Sequence, residues 1–247
     1  KPALCGDLDP PHTLLDKVRE LDCPFFLRGR DFSLDVADDH WSWRGIDARG
    51  LGVELHGLPL LNLPMENAAL ALQAYLLLDL PWNAGQIADT LQRTRVVGRL
   101  DRRAFEWQGK RLDLLLDVGH NPHAAQYLAR RLASHVPKGR RLAVFGLLSD
   151  KDLEGVVAPL LSSVQAWAVA PLDTPRSRSA DDVQALLQNL GATVTSHASV
   201  IAALEAQCAV ATAEDEILLF GSFYCVAEAL EWLARRSTEE AAHGITG

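Results

Sequence analysis

The spacing of apolar and polar residues changes character part-way along the chain. Up to about residue 95, short alternating segments stand between glycine-bearing turns, which is typical of antiparallel strands. These segments are residues 25–27, 40–44 and 52–56. Two stretches in the same part predict helices, residues 13–21 and 65–78, and the second begins directly after a proline.

From residue 112 onward the pattern becomes regular. Four apolar runs predict buried strands, at residues 112–116, 142–147, 164–170 and 217–220, and a weaker segment at residues 193–196 predicts a further strand between the last two. Each is followed by a helical stretch, at residues 123–135, 152–161, 180–190, 199–211 and 224–235. This alternation predicts an α/β fold with a mostly parallel sheet and helices on both faces. We place the boundary between two domains at residues 95 and 96.

Composition narrows the classes of protein. The 247 residues are 48% hydrophobic and 23% charged, which excludes disorder as the main state. A net charge of −8 disfavours nucleic acid and membrane partners, because phosphate attraction needs clustered basic residues. The longest apolar stretch, residues 68–78, is too short to span a bilayer. Four scattered cysteines without a CxxC pair predict reduced thiols in the cytoplasm and no metal ligands.

Polar residues follow the predicted strands at the points where they end. The first run leads into Asp117-Val118-Gly119-His120-Asn121-Pro122 and the last into Gly221-Ser222. Open parallel sheets bind ligands beyond the carboxyl ends of their strands, so we expect both turns at one ligand-binding edge. Asp117 can accept hydrogen bonds from a ribose, or it can brace its own loop. His120 is a candidate hydrogen-bond donor or a structural histidine, and Pro122 can open a helix.

Three further features have two interpretations each. Lys151 can neutralise a phosphate or carboxylate, or it is solvated while Ser149 or Asp150 caps the next helix. The Gly221-Ser222 turn admits an anion at a helix start, or it serves close packing of strand and helix. Basic residues can bind phosphate bidentately or form a solvated surface. They comprise a run of Arg93, Arg95, Arg99, Arg102 and Arg103 and a loop pair of Arg176 and Arg178.

Several common enzyme motifs are missing from the sequence. It contains no GxxxxGK[ST] phosphate loop, and no GxGxxG opens the strand–helix units, which disfavours a nicotinamide dehydrogenase. The absence of a GxSxG elbow disfavours an α/β-hydrolase.

Taken in order, the motifs resemble the C-terminal portion of the bacterial bifunctional dihydrofolate synthase/folylpolyglutamate synthases, relatives of the Mur ligases. The segments that carry the resemblance are KPALCG from Lys1, LPMENAA from Leu63, Gly98-Arg99, DVGHNPHAA from Asp117, GLLSDKD from Gly146 and GSF from Gly221. The chain opens without Met, which is typical of the middle of a longer sequence. Gly119 stands where alanine is commoner in the family.

The resemblance implies an ATP-dependent amide ligase of folate biosynthesis. Such enzymes activate the carboxylate of dihydropteroate, or of a tetrahydrofolate polyglutamate tail, as an acyl phosphate that L-glutamate attacks. Residues 1–95 would be the C-terminal remnant of an ATPase domain of the Mur-ligase central type, and residues 96–247 a Rossmann-like glutamate ligase domain. The cofactors would be ATP and Mg²⁺, with the phosphate loop and magnesium ligands upstream of Lys1. The chain would therefore need the N-terminal half of the same enzyme, and we expect it to be inactive alone.

Site residues follow from motif position. The resemblance implies ATP contacts for Asn67, Arg99 and Asp117, a catalytic role for His120, and substrate contacts for Ser222 and Lys151. Two rival functions remain at this point. One is a Mur-type ligase of peptidoglycan precursors, and the other is a non-catalytic nucleotide-binding α/β module.

Overall fold

The chain divides into two compact units, Lys1–Arg95 and Val96–Gly247, each of which is described by itself. The computed structural model describes residues 1–61 and 63–243, with side chains described as far as Arg236. Within these residues, no helix is both long enough and apolar enough to cross a membrane.

The first unit combines two small sheets with three helices. A parallel pair joins β1 (Ala3–Cys5) to β2 (Phe25–Leu27), and α1 (His12–Glu20) connects them. An antiparallel sheet is formed by β3 (Ser33–Val36), β4 (His40–Ile46) and β5 (Gly52–Pro59). Two helices follow, α2 (Met65–Leu77) and α3 (Ala84–Arg93).

Two tryptophans of β4 form the centre of the first unit. Trp41 and Trp43 are almost fully buried in a cluster with the apolar face of α2. The indole N–H of Trp43 donates to the carbonyl of Ala69, at 3.1 Å. Gln73 of α2 pairs with the backbone of Ile46 through both its amide oxygen and its amide nitrogen, at 3.2 and 2.8 Å. These bonds satisfy polar groups that would otherwise be costly to bury.

The second unit is the predicted α/β sheet with one strand added. Its strands are β6 (Asp101–Trp107), β7 (Lys110–Asp117), β8 (Arg141–Phe145), β9 (Ala166–Val169), β10 (Val194–Ser196) and β11 (Glu216–Phe220). They lie in the order β10-β9-β8-β11-β7-β6, and β7 to β11 are all parallel. Between and after them come α4 (Pro122–Ala133), α5 (Leu153–Val157) with a 3-10 turn, α6 (Ala180–Asn189), α7 (Val200–Val210) and α8 (Phe223–His243).

Helices cover both faces of this sheet, as the sequence predicts. Successive strand residues point to opposite faces. Leu114 and Leu219 therefore pack with α7 and α8 in one cluster. Leu115 and Leu218 pack with α4, α5 and α6 in the other. Because both faces are covered, the strand ends are the places where polar side chains remain accessible.

The structure corrects the pairing of one predicted strand and contains elements that the residue pattern did not predict, namely β1, β3, α3 and β6. Residues 25–27 form a strand as predicted, but it pairs in parallel with β1 rather than in an antiparallel sheet. Strand β6, which the periodicity did not predict, pairs antiparallel with β7 and extends the sheet at its edge. It begins with three charged residues and contains no long apolar run, because an edge strand has one exposed side.

Candidate active site

Three neighbouring strands of the second unit end at the same level. Phe220 at the end of β11 pairs with Asp117 of β7 on one side and with Phe145 of β8 on the other. The turns that follow these strands therefore meet at one edge of the sheet. We call this edge the strand-tip site and define it by Arg99, Asp117, His120, Lys151 and Ser222.

Asp117 links two turns of the site. Its carboxylate accepts the backbone N–H of Leu100 at 3.0 Å and that of Gly119 at 2.7 Å. Burial is the main cause that raises the pKa of this carboxyl, and the two N–H donors and the Arg99 charge oppose it only in part. In this structure Asp117 braces its loop, which is one of its two interpretations. Its contact with ATP stays a prediction.

Arg99 lies on the turn that Asp117 holds. The flanking residues Gly98 and Leu100 both have left-handed backbone conformations, with φ of 71° and 45°. The carbonyl of Gly98 accepts the N–H of Val118 at 2.8 Å, which ties this turn to the end of β7. The Arg99 guanidinium lies 3.9 Å from the Asp117 carboxylate, a loose ion pair, and its side chain is 39% exposed. A guanidinium held so loosely can still bind an anion.

His120 lies between the tips of β7 and β11. Its Nδ1 is 2.8 Å from the carbonyl oxygen of Val118, and its ring centroid is 6.1 Å from that of Phe223. The next residue, Asn121, caps α4 by accepting the N–H of Ala124 at 2.9 Å. Pro122 is the first residue of α4, as the sequence predicts.

Ser222 is buried at the start of α8. Its hydroxyl oxygen accepts the N–H of Tyr224 at 3.1 Å, so the hydroxyl hydrogen is still available to donate. The preceding Gly221 has φ of 107°, and a Cβ there would lie 2.5 Å from the carbonyl oxygen of Gly146. The close approach at this turn is therefore to the end of β8 and not to a helix, and a ligand role for Ser222 stays a prediction.

Lys151 follows β8, the other neighbour of β11. Its ammonium lies 3.0 Å from the carboxylate of Asp150, which also accepts from Arg176 at 2.9 Å. Hydrogen bonds from both cations lower the pKa of Asp150 to about 2. The residue that caps the next helix is Asp152, whose carboxylate accepts the N–H of Gly155, so the alternative of a cap at Ser149 or Asp150 is wrong.

The loop arginines after β9 do more than the sequence indicates. Arg178 donates to the carbonyl oxygens of Ser149 and Lys151, both at 2.7 Å, so it fixes the turn that carries Lys151. Arg178 is therefore a structural residue of this turn, whereas Arg176 stays largely exposed in its pair with Asp150. The sequence signal was their position just after a strand end.

The basic run is divided among different partners. Arg93 and Arg95 bond to backbone carbonyls in the first unit. Arg102 pairs with the buried Glu216, and Arg103 pairs with Asp101. Arg99 is the member of the run that lies at the strand-tip site.

Five of the six predicted site residues thus come together at or beside one edge of the second unit. The sixth, Asn67, lies exposed in the first turn of α2, in the first unit. Phe223, which contacts the His120 ring, was not among the predicted residues. Its position directly after Gly221-Ser222 was the available signal.

Comparison with known proteins decides the family. A family profile described as "Mur ligase, glutamate ligase domain" matches residues 98–223. The chain belongs to the Mur ligase family. The matched segment begins at the turn that carries Arg99 and ends at Phe223, so it includes the whole strand-tip site.

This Mur ligase chain has relatives of known activity. It is 38% identical over 238 residues to the dihydrofolate synthase/folylpolyglutamate synthase of Escherichia coli (strain K12). The matched residues make up 96% of this chain and 53% of that protein. The structure of E. coli FolC in complex with DHPP and ADP superposes with a TM-score of 0.81 at 37% identity, over 96% of this chain and 54% of that one. The structure of a bifunctional folylpolyglutamate synthase/dihydrofolate synthase with Mn, AMPPNP and L-glutamate bound superposes with a TM-score of 0.80 at 33% identity. This match covers 95% of this chain and 53% of that one.

The sequence resemblance and the mostly parallel α/β fold are confirmed by these matches. The chain spans about half the length of the relatives that it matches. The comparison therefore concerns this half of a Mur ligase.

Proposed function

We propose that this chain is the C-terminal part of an ATP-dependent amide ligase that adds L-glutamate to dihydropteroate and to folate glutamyl tails through an acyl phosphate. The observation that carries the proposal is the meeting of the Asp117–Pro122 turn and the Gly221-Ser222 turn at adjacent strand tips. Relatives that are similar in sequence and fold are named as synthases of dihydrofolate and folylpolyglutamate.

The charges at the strand-tip site suit the substrates of this reaction. Arg99 and Lys151 provide cations for phosphate or carboxylate groups, and Arg99 can offset charge that develops during phosphoryl transfer. Ser222 has a hydroxyl hydrogen to donate to a glutamate carboxylate. We assign Asn67, Arg99 and Asp117 to ATP, His120 to catalysis, and Ser222 and Lys151 to substrate.

The first unit supports the idea of an incomplete ATPase domain. Parallel sheets are normally covered on both faces and contain more than two strands. Here β1 and β2 form a two-stranded parallel sheet in which five of the six residues are only partly buried. We propose that residues 1–95 complete a larger sheet in the ATPase domain, and that residues 96–247 form the glutamate ligase domain.

A divalent cation does not fit this chain by itself. Among the described residues, no group of three or more His, Cys, Asp or Glu side chains is placed to hold a metal ion. We therefore propose that Mg²⁺ binds together with ATP through ligands in the N-terminal half. A relative of this chain is described with Mn and AMPPNP bound. We propose a cytoplasmic location, where ATP and folate substrates are available.

Domain closure would supply much of the rate. Holding the amine of glutamate against an acyl phosphate replaces a bimolecular encounter by a positioned one, which can lower the barrier by about 7–11 kcal/mol. The residues of this chain bind and orient the amino acid, while the N-terminal half forms the acyl phosphate. Isolated residues 1–247 should therefore neither release ADP nor ligate glutamate.

The test combines this chain with a separately expressed N-terminal half of the E. coli relative. ADP release that depends on dihydropteroate or a folate, and on L-glutamate, is expected from the mixture and not from either part. The matched control is the same mixture with Arg99→Ala. If the complete protein ligates amino acids to a UDP-sugar peptide and not to dihydropteroate, the peptidoglycan ligase is the correct function. ATP binding without any ligation would favour a non-catalytic module.

A further inference from the structure

One ring nitrogen of His120 has its protonation state fixed by the backbone. Nδ1 lies 2.8 Å from the carbonyl oxygen of Val118. A carbonyl oxygen can only accept a hydrogen bond, so Nδ1 must carry the hydrogen. A neutral imidazole has a single N–H, and the other nitrogen, Nε2, then presents a lone pair.

A second aromatic ring lies beside the imidazole. Phe223, the first residue of α8, lies with its ring centroid 6.1 Å from that of His120 and its plane tilted by 54°. The hydrogen bond to Val118 thus fixes the imidazole at the end of β7, and Phe223, which is itself largely exposed, flanks it from the start of α8. Among the described residues, Nε2 has no hydrogen-bond partner from the protein, and the His120 side chain is only half-buried.

The other ionisable groups predicted for the site are less available to take up a proton from a ligand. Both oxygens of Asp117 already accept backbone N–H groups. Lys151 is a cation paired with Asp150. His120 is therefore the predicted site residue best placed to accept a proton.

We infer that Nε2 of His120 is the proton acceptor that activates the incoming amino acid, an inference that rests on the proposed ligase function. The amino group of glutamate is an ammonium in water and has no lone pair with which to attack. Nε2 takes one proton from it, and the resulting amine forms the C–N bond at the carbonyl carbon of the acyl phosphate. The C–O bond to phosphate then breaks. The second proton of the attacking nitrogen leaves with the departing phosphate, and the imidazolium returns its proton to water.

The first experiment measures the tautomer directly in the chain as it is. Nitrogen-15 NMR of the uniformly labelled protein, at a pH where imidazole is neutral, distinguishes a protonated from an unprotonated ring nitrogen. The His120 signals are assigned by their loss from His120→Gln, with His135→Gln as the matched control on an exposed histidine beyond the other end of α4. We expect hydrogen on Nδ1 and a bare Nε2. The opposite tautomer would overturn the inference and leave the ligase function untouched.

The second experiment uses the complete enzyme, that is, this chain together with its N-terminal half. It separates activation of the amine from formation of the acyl phosphate. Hydroxylamine is largely uncharged near neutral pH, so it can trap the acyl phosphate without giving up a proton to a base. In His120→Gln we expect glutamate ligation to fall roughly a hundredfold or more, the range for loss of general base catalysis. Hydroxylamine-trapped turnover should stay within a fewfold of the wild type. Equal loss in both reactions would overturn the inference, as would no loss in either.

A third variant distinguishes a proton acceptor from a structural residue. The side-chain amide of His120→Asn can still donate to the Val118 carbonyl, but it has no basic nitrogen. We expect it to be as defective in glutamate ligation as His120→Gln while its melting temperature matches the wild type. Recovery of ligation in His120→Asn would show that the hydrogen bond to Val118 is the important feature. If wild-type complete enzyme forms no acyl phosphate at all, it is the proposed function that fails.

Discussion

Asp117 accepts a hydrogen bond from the backbone N–H of Leu100, seventeen residues earlier in the chain, at 3.0 Å. The other carboxylate oxygen accepts from Gly119, so one buried side chain joins the turn of Arg99 to the turn of His120. A residue expected to contact nucleotide thus also determines where its neighbours lie.

Replacing Asp117 should destabilise the second unit. Asp117→Ala leaves two backbone donors without their acceptor, and each buried unsatisfied group costs about 1–3 kcal/mol. Asp117→Asn keeps one acceptor oxygen and should lose less. Urea unfolding followed by tryptophan fluorescence measures the difference. Asp113→Ala is the matched control, because Asp113 lies exposed on the same strand. Equal free energies of unfolding for the variants at 117 and 113 would contradict the bracing role.

Gly221 should tolerate alanine less well than another left-handed glycine. Both Gly221 and Gly191 have positive φ, 107° and 81°. A Cβ at Gly221 would lie 2.5 Å from the Gly146 carbonyl oxygen, whereas a Cβ at Gly191 meets nothing within 4 Å. Gly191→Ala should cost about 1–2 kcal/mol from backbone strain, and Gly221→Ala clearly more. Thermal unfolding of the two variants checks this, and a smaller loss at Gly221 would refute it.

A buried ion pair stabilises the opposite end of the same sheet. Glu216 of β11 pairs with Arg141 of β8 at 2.7 Å and with Arg102 of β6. Glu216→Gln leaves Arg141 as an uncompensated buried charge, which typically costs about 3–5 kcal/mol. The exposed Glu214→Gln should have almost no effect. Denaturant midpoints distinguish these outcomes, and a Glu216→Gln protein as stable as the wild type would show that the pair is dispensable.

Asp215 should make the stability of the protein depend on acid pH. Burial acts to raise the pKa of this carboxyl, but the Arg140 guanidinium and the backbone N–H groups of Arg140 and Thr212 outweigh burial and lower it to about 2, from 3.8. A lowered folded-state pKa stabilises the protein above the unfolded value of 3.8, and this stability is lost as the pH falls toward 2. The free energy of unfolding that is lost in this way is about 2 kcal/mol.

The measurement is the free energy of unfolding as a function of pH for the wild type and Asp215→Asn. The variant lacks the titrating group, so its curve should be flatter across that interval. Parallel curves for the two proteins would assign the acid sensitivity to other carboxyls.

The sequence predicts those features of the structure that depend on residues close together in the chain, and it misses those that depend on residues far apart. Each of the strands β7, β8, β9 and β11 is visible in the sequence as a short run of apolar residues. These runs predict the parallel sheet and the edge at which the carboxyl ends of its strands meet. The rule that polar turns after such strands meet at one edge correctly predicts that the Asp117–Pro122 and Gly221-Ser222 turns are neighbours.

Features that depend on a distant partner were not predictable. The parallel pairing of β2 is set by β1, and a three-residue strand carries too little pattern to reveal its direction. The partner of Arg102 is Glu216, 114 residues away, so the charge run gave no indication that one of its members pairs with a buried carboxylate. The ligand roles of all six predicted site residues stay predictions, because such roles depend on molecules outside the chain: Asn67, Arg99, Asp117, His120, Lys151 and Ser222.

The two edge strands of the six-stranded sheet affect whether the protein can associate with itself. One border, β10, has only three residues, and the other, β6, presents Arg102, Arg103 and Glu106 along its length. Short or charged border strands are poor templates for pairing with another polypeptide. A protein that relies on a hydrophobic sheet can thereby stay free of edge-to-edge polymerisation at the concentrations a cell requires.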